Sequence, residues 1–194
     1  MKTIDFWFSI GSTYTYLSVS RISKIEDEHQ VSFVWNPFSV RKLMMEMNNI
    51  PFTPPEKKVK SDYMWRDISR RAKNYNLSPI IPAPYPLKNF DLANQIAVHG
   101  VNEGWCEQYV KLTYKYWFEN GIEAGSEECI NKISKDMNIN PNDLIENSSS
   151  NTIIEKYNAQ TDKARELGIF GSPSFISNGE IFWGDDRLED AINW

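Results

Sequence analysis

Three short segments of this 194-residue chain place polar side chains where the backbone must turn. The first is Gly11, Ser12 and Thr13, directly after the apolar run TIDFWFSI. A chain that leaves a strand and enters a helix there exposes unpaired N–H groups and the positive end of the helix dipole, which together favour an anion. Ser12 has two readings. It caps the helix, or it turns its hydroxyl to a bound thiol, where donation to the thiolate lowers that thiol's pKa. The second segment is Gly171, Ser172, Pro173 and Ser174, just ahead of a β-rich run. A trans Pro173 would simply start that strand, whereas a cis bond would turn the N–H and C=O of Ser172 outward to pair with an extended peptide. The third is Trp183, Gly184, Asp185, Asp186 and Arg187, where the two acids either cap a helix or offer a carboxylate to a ligand ammonium group.

These segments depend on the elements around them. Residues 3–10 are β-branched and aromatic and stop at Gly11, which predicts a buried strand. Tyr16, Leu17, Val19, Ile22 and Ile25 then recur at helical spacing, and residues 31–36 form a second β-rich run ended by Pro37. The result is a βαβ opening with parallel strands. From about residue 40 the methionines lead into NNIPFTPP, read as a loop or lid. Residues 56–75 have helical spacing, Pro79, Pro82, Pro84 and Pro86 break the chain, and helices are expected near 91–99, 102–119 and 126–137. Two more follow, one started by Asn140 and Pro141, the other within Ser148 to Ser150. After Gly168 come SFIS, an Asn178-Gly179 turn, EIFW and a short last helix with an acidic N-cap. The order βαβ, helices, ββα is that of an α/β thioredoxin-like fold with a large all-helical insertion. Residues 1–45 plus 165–194 make the thioredoxin-like domain and 46–164 the insertion.

Composition narrows the function classes. A 41% hydrophobic content with 7 Trp, 10 Phe and 9 Tyr supplies a core without staples. The net charge of -5 provides no field for nucleic acid. Cys106 and Cys129 lie far apart, and His29 and His99 complete no ligand motif, so neither a CxxC redox pair nor a local zinc cluster is available. No signal peptide and no membrane span is read. The expected setting is the cytoplasm, where thiols stay reduced.

The strand-turn-helix DFWFSIGSTYTYL, the segment GIFGSPSF and the segment FWGDDRL resemble, in order and spacing, the 2-hydroxychromene-2-carboxylate isomerases and kappa-class glutathione transferases of the DsbA-like thioredoxin superfamily. The resemblance spans essentially the whole chain. It implies a glutathione site. Ser12 matches the serine that holds the sulfur as thiolate. Ser172 and Pro173 match the residue before the cis-proline and that proline, whose main chain pairs with the cysteinyl part. Asp185 and Asp186 match the positions at the γ-glutamyl end, and Asn49 and Lys60 match the family's Asn and Lys near the glycine end. Two positions depart from the family pattern: Ser9 stands where an acid is usual, and Thr13 where a proline follows the serine.

The resemblance therefore implies a glutathione-dependent isomerase or transferase, a homodimer, acting on an aromatic or conjugated carbonyl electrophile. Aromatics such as Trp65, Tyr85, Phe90 and Trp117 line an apolar pocket or fill the core. Two rival readings are a thiol-disulfide oxidoreductase, which needs a cysteine where Ser12 stands, and a non-catalytic module that binds glutathione or a peptide.

Overall fold

A computed structural model describes residues 1–49 and 57–194 of the chain. Strands β1 (Lys2–Phe8), β2 (Val31–Pro37), β3 (Ser174–Ser177) and β4 (Glu180–Trp183) form one sheet in the order β2-β1-β3-β4. As the opening pattern predicts, β2 runs parallel to β1, with Phe6 opposite Trp35, while β3 and β4 are antiparallel. Alternation along β1 sends Phe6 to one face, where its ring stacks on Phe175 at 5.3 Å and meets the edge of Trp35 at 5.0 Å. Trp7, on the other face, meets Phe38 at 6.1 Å. The hairpin turn reads correctly: Asn178 and Gly179 both have positive φ, at 50° and 83°.

The expected first helix is two, α1 (Thr15–Val19) and α2 (Ile22–His29). The interruption falls at Ser20 and Arg21, where the Ser20 hydroxyl donates back to the Tyr16 carbonyl at 2.8 Å. A helix not foreseen, α3 (Val40–Glu46), occupies the beginning of the stretch read as a loop. Ser39 caps it by accepting the Lys42 N–H, and Val40 and Leu43 supply a buried face. The Pro-rich part of that stretch, 50–56, lies outside the described residues.

Helices α4 (Lys58–Asn74), α5 (Phe90–Glu103), α6 (Cys106–Glu119), α7 (Glu127–Met137), α8 (Pro141–Ser148) and α9 (Asn151–Glu166) follow. Gly104, with φ 80°, ends α5 and sets the boundary that periodicity alone placed too early. Asn140 caps α8 with Pro141 in its first turn, as expected. Near the C-terminus the expected acidic N-cap is absent: Asp185–Arg187 form a 3-10 turn entered from Gly184, neither aspartate caps through its side chain, and α10 (Leu188–Asn193) follows.

Sheet and helices share a core. Tyr16 of α1 stacks on Phe118 of α6 at 4.3 Å, and Phe6, Phe8, Tyr16, Trp117 and Phe118 belong to one continuous buried cluster. The helical segment is thus packed onto the sheet that carries the three turns. Among the described residues no helix is long and apolar enough to cross a membrane.

Candidate functional site

The end of β1 is held rigidly before it turns. Asn94 of α5, fully buried, accepts the Ile10 N–H at 2.7 Å and donates to the Ile10 carbonyl at 2.9 Å. Tyr114 of α6 donates toward the carbonyls of Ser9 and Ser12 at 3.2 and 3.1 Å. Gly11 is required by geometry: its φ is 122°, and a Cβ there would lie 2.6 Å from the Phe90 ring. The Ser12 N–H then closes a turn on the Ser9 carbonyl at 3.0 Å.

Ser12 does not cap α1, whose N-cap position is Tyr14. Its hydroxyl instead donates to the Ser172 carbonyl at 2.6 Å. The bond between Ser172 and Pro173 is cis. The Ser172 side chain points inward, where Oγ accepts the Ser9 N–H at 2.9 Å and shares a hydrogen bond with the Thr15 hydroxyl at 3.0 Å. Among the described residues no acceptor meets the Ser172 N–H. Half-buried Ser172 thus carries an N–H without a partner among the described residues next to a carbonyl engaged by one hydroxyl, main-chain groups of the kind that strand-like addition uses. The Pro173 carbonyl accepts the Gly184 N–H at 2.9 Å, which joins this segment to the aspartates.

The aspartates differ sharply. Asp185 is 1% exposed. It accepts from Arg71 Nε at 2.7 Å and from Arg71 Nη2, and Arg21 stands 3.7 Å from its Oδ1. Burial pushes its carboxyl up to about 6, against the pull of both arginines. Burial acts to lower the Arg71 pKa, but the facing carboxylates outweigh it and raise the guanidinium further, so its charged form is the secure one of the pair. The oxygens of Asp185 are thus directed into the protein. Asp186 is exposed and touches its neighbour Arg187 at 3.1 Å.

Asn49 is exposed just beyond α3, its Oδ1 3.3 Å from the Lys57 ammonium, and Lys60 is exposed on the first turn of α4. Later turns of α4 reach the Ser12 segment, because Met64 Sδ accepts from the Thr13 hydroxyl at 3.0 Å and Asp67 accepts from the Tyr14 phenol at 3.0 Å. Beside them a groove of about 800 Å³ is lined by Ser61, Trp65, Pro82, Pro84, Tyr85 and Gly121. Trp65 meets Tyr85 edge to face at 6.0 Å.

Ser12, Ser172 and Pro173 are therefore gathered at one point, and Gly184 links Asp185 and Asp186 to it. Sequence reasoning missed Asn94, Tyr114, Thr15, Arg21 and Arg71. A signal existed for Asn94, an amide between Ala93 and Ile96 on an otherwise apolar helix face.

Residues 3–192 match the model of the DSBA-like thioredoxin domain. The chain belongs to that family. Its fold is accordingly an α/β thioredoxin-like sheet with a large helical insertion. It is 26% identical over 185 residues to the 2-hydroxychromene-2-carboxylate isomerase of Pseudomonas putida, covering 95% of this chain and 90% of the relative. It is 24% identical to glutathione S-transferase kappa 1 of Caenorhabditis elegans, covering 97% and 88% of the two chains. A solved 2-hydroxychromene-2-carboxylate isomerase superposes with a TM-score of 0.86 at 26% identity, covering 98% and 94%. The turn after β1 carries Ser12 and no cysteine. The chain's two cysteines are free and buried, and burial pushes the Cys129 thiol up to about 12 and the Cys106 thiol higher still.

Proposed function

We propose that this protein is a glutathione-dependent isomerase or transferase for an aromatic or conjugated carbonyl electrophile, similar in chemistry to the 2-hydroxychromene-2-carboxylate isomerases. The observation that carries the reading is the 2.6 Å bond from the Ser12 hydroxyl to the Ser172 carbonyl, which sets a lone hydroxyl beside main chain open to an extended peptide. Bound glutathione would supply a sulfur nucleophile that adds to the conjugated carbon and then leaves, giving an isomer, or stays, giving a conjugate. Ser12 turns its single hydrogen from Ser172 to the sulfur and favours the thiolate. The Ser172 main chain pairs with the cysteinyl part, with Pro173 fixing its direction, and Asp186 faces the γ-glutamyl ammonium. Asn49 and Lys60 serve the glycine end. The groove at Trp65 and Tyr85 takes the aromatic part of the substrate. A cytoplasmic homodimer is the setting this reading implies.

The test is the ultraviolet absorbance of the thiolate on adding glutathione to wild type and to Ser12→Ala. A signal in wild type that is lost in the variant supports the reading, and equal signals remove Ser12 from the mechanism. Tight glutathione binding with no turnover across a panel of aromatic electrophiles would favour a binding module instead.

A further inference from the structure

Helix α4 presents Met64, Asp67 and Arg71 on one face, and the last of these reaches the aspartate turn through its bond to Asp185. A guanidinium has five N–H donors in a fixed fork. Here Nε and Nη2 hold Asp185, and Nη2 also donates to the Tyr75 phenol at 2.9 Å. Among the described residues Nη1 meets no acceptor, and the side chain is 24% exposed against 1% for Asp185. Asp186, which is exposed, directly follows Asp185 in the same turn. The other two arginines nearby are differently placed. Arg21 is 11% exposed, paired with Glu189 and laid 3.8 Å over the Tyr75 ring. Arg187 turns to Asp186 of its own turn and to Asp190 of α10.

A γ-glutamyl end carries an α-carboxylate as well as an ammonium group, so a site of carboxylates alone would repel half of it. We propose that Arg71 binds that α-carboxylate, forming with Asp186 a clamp for an amino-acid head group, while Asp185 is the buried counter-charge that holds Arg71 in position. The inference rests on the glutathione reading and adds to it a ligand residue and a different task for Asp185. The Asp185 pair orients the guanidinium from behind and, with Nη2 also spent on Tyr75, leaves Nη1 for an oxygen of a second carboxylate, an outer donor that a lysine ammonium drawn to Asp185 does not hold in fixed geometry.

Titration calorimetry with three tripeptides tests it: glutathione, γ-aminobutyryl-cysteinyl-glycine, which lacks the α-carboxylate, and glutaryl-cysteinyl-glycine, which lacks the amine. Wild type is expected to bind the γ-aminobutyryl compound on the order of tenfold more weakly than glutathione. Arg71→Met is expected to weaken glutathione and the glutaryl compound by a similar factor and to leave the γ-aminobutyryl compound within about twofold. Arg71→Lys, which keeps the charge opposite Asp185, serves if the methionine variant does not fold, and is expected to lose most of the same discrimination. Equal wild-type affinity for glutathione and the γ-aminobutyryl compound, or a uniform loss across all three ligands in the variants, overturns the clamp while the glutathione reading stands. Wild type that binds none of the three overturns that reading, and the clamp falls with it.

Discussion

Asn94 and Ile10, 84 positions apart, exchange two hydrogen bonds through one side chain: the Asn94 oxygen takes the Ile10 N–H and its nitrogen serves the Ile10 carbonyl. Ile10, two residues beyond β1, thereby receives from α5 the pairing that a neighbouring strand would otherwise give. Asn94→Leu keeps the branched shape of the side chain and strands both backbone groups in the core. The expected loss is about 2–4 kcal/mol, read as a lower urea midpoint and a thermal midpoint reduced by roughly 5–15 °C.

Gly11 faces two obstacles to any side chain, its φ of 122° and the Phe90 ring. Gly11→Ala is expected to destabilise the fold by about 2 kcal/mol or more. Trimming Phe90 to leucine in the same chain should relieve the contact and leave the backbone cost, so the double variant stays below the Phe90→Leu variant in thermal stability. A full recovery in thermal unfolding would show that the ring alone enforces the glycine.

Asp185 gives a stability profile of definite sign. Its carboxyl titrates near 6 in the folded protein and near 4 in an unfolded chain. Between those values the folded state keeps a proton that the unfolded state has released, so stability falls as pH rises from about 4 to about 6, by on the order of 3 kcal/mol for this group. The decline ends above the folded value. Glu46 and Asp162, held low by Arg165, work in the opposite direction at lower pH. The measurement is therefore a difference: urea unfolding of wild type relative to Asp185→Asn across pH 4 to 8 should drop through that interval and then level off. A flat difference would contradict the buried carboxylate.

Thiol access separates the Ser12 turn from the interior. Cys106 and Cys129 are 5% and 0% exposed, with their thiols pushed up by burial, so in the native protein both should react with an aromatic disulfide reagent only as fast as the protein opens. Ser12→Cys puts a third thiol at a half-buried position. Native titration should yield one rapid equivalent, and denatured titration three.

The sequence carried the sheet and much of the candidate site because those features are local. A β-rich run before Gly11, the Asn178-Gly179 turn, and Ser172-Pro173 ahead of SFIS each declare themselves within a few residues. What escaped depends on distant partners. Asp185 reads as a ligand or a cap until Arg71, 114 positions earlier, is found against it. The Ser12 hydroxyl reads equally as a cap or as the partner of a bound thiol until Ser172 appears 160 positions later. Helix α3 was hidden for another reason: the methionines running into a Pro-rich stretch masked a two-residue apolar face, Val40 and Leu43, behind an ordinary Ser39 cap.

Because Met64 and Asp67 engage the Ser12 segment and Arg71 the distant aspartate turn from a single α-helix, their register is indivisible. One residue inserted between Met64 and Arg71 would swing everything beyond it by about 100° and 1.5 Å, parting Arg71 from Asp185 at once. Relatives that differ in length should accordingly absorb their insertions ahead of Lys57 or after Asn74, and keep the span between these three side chains constant.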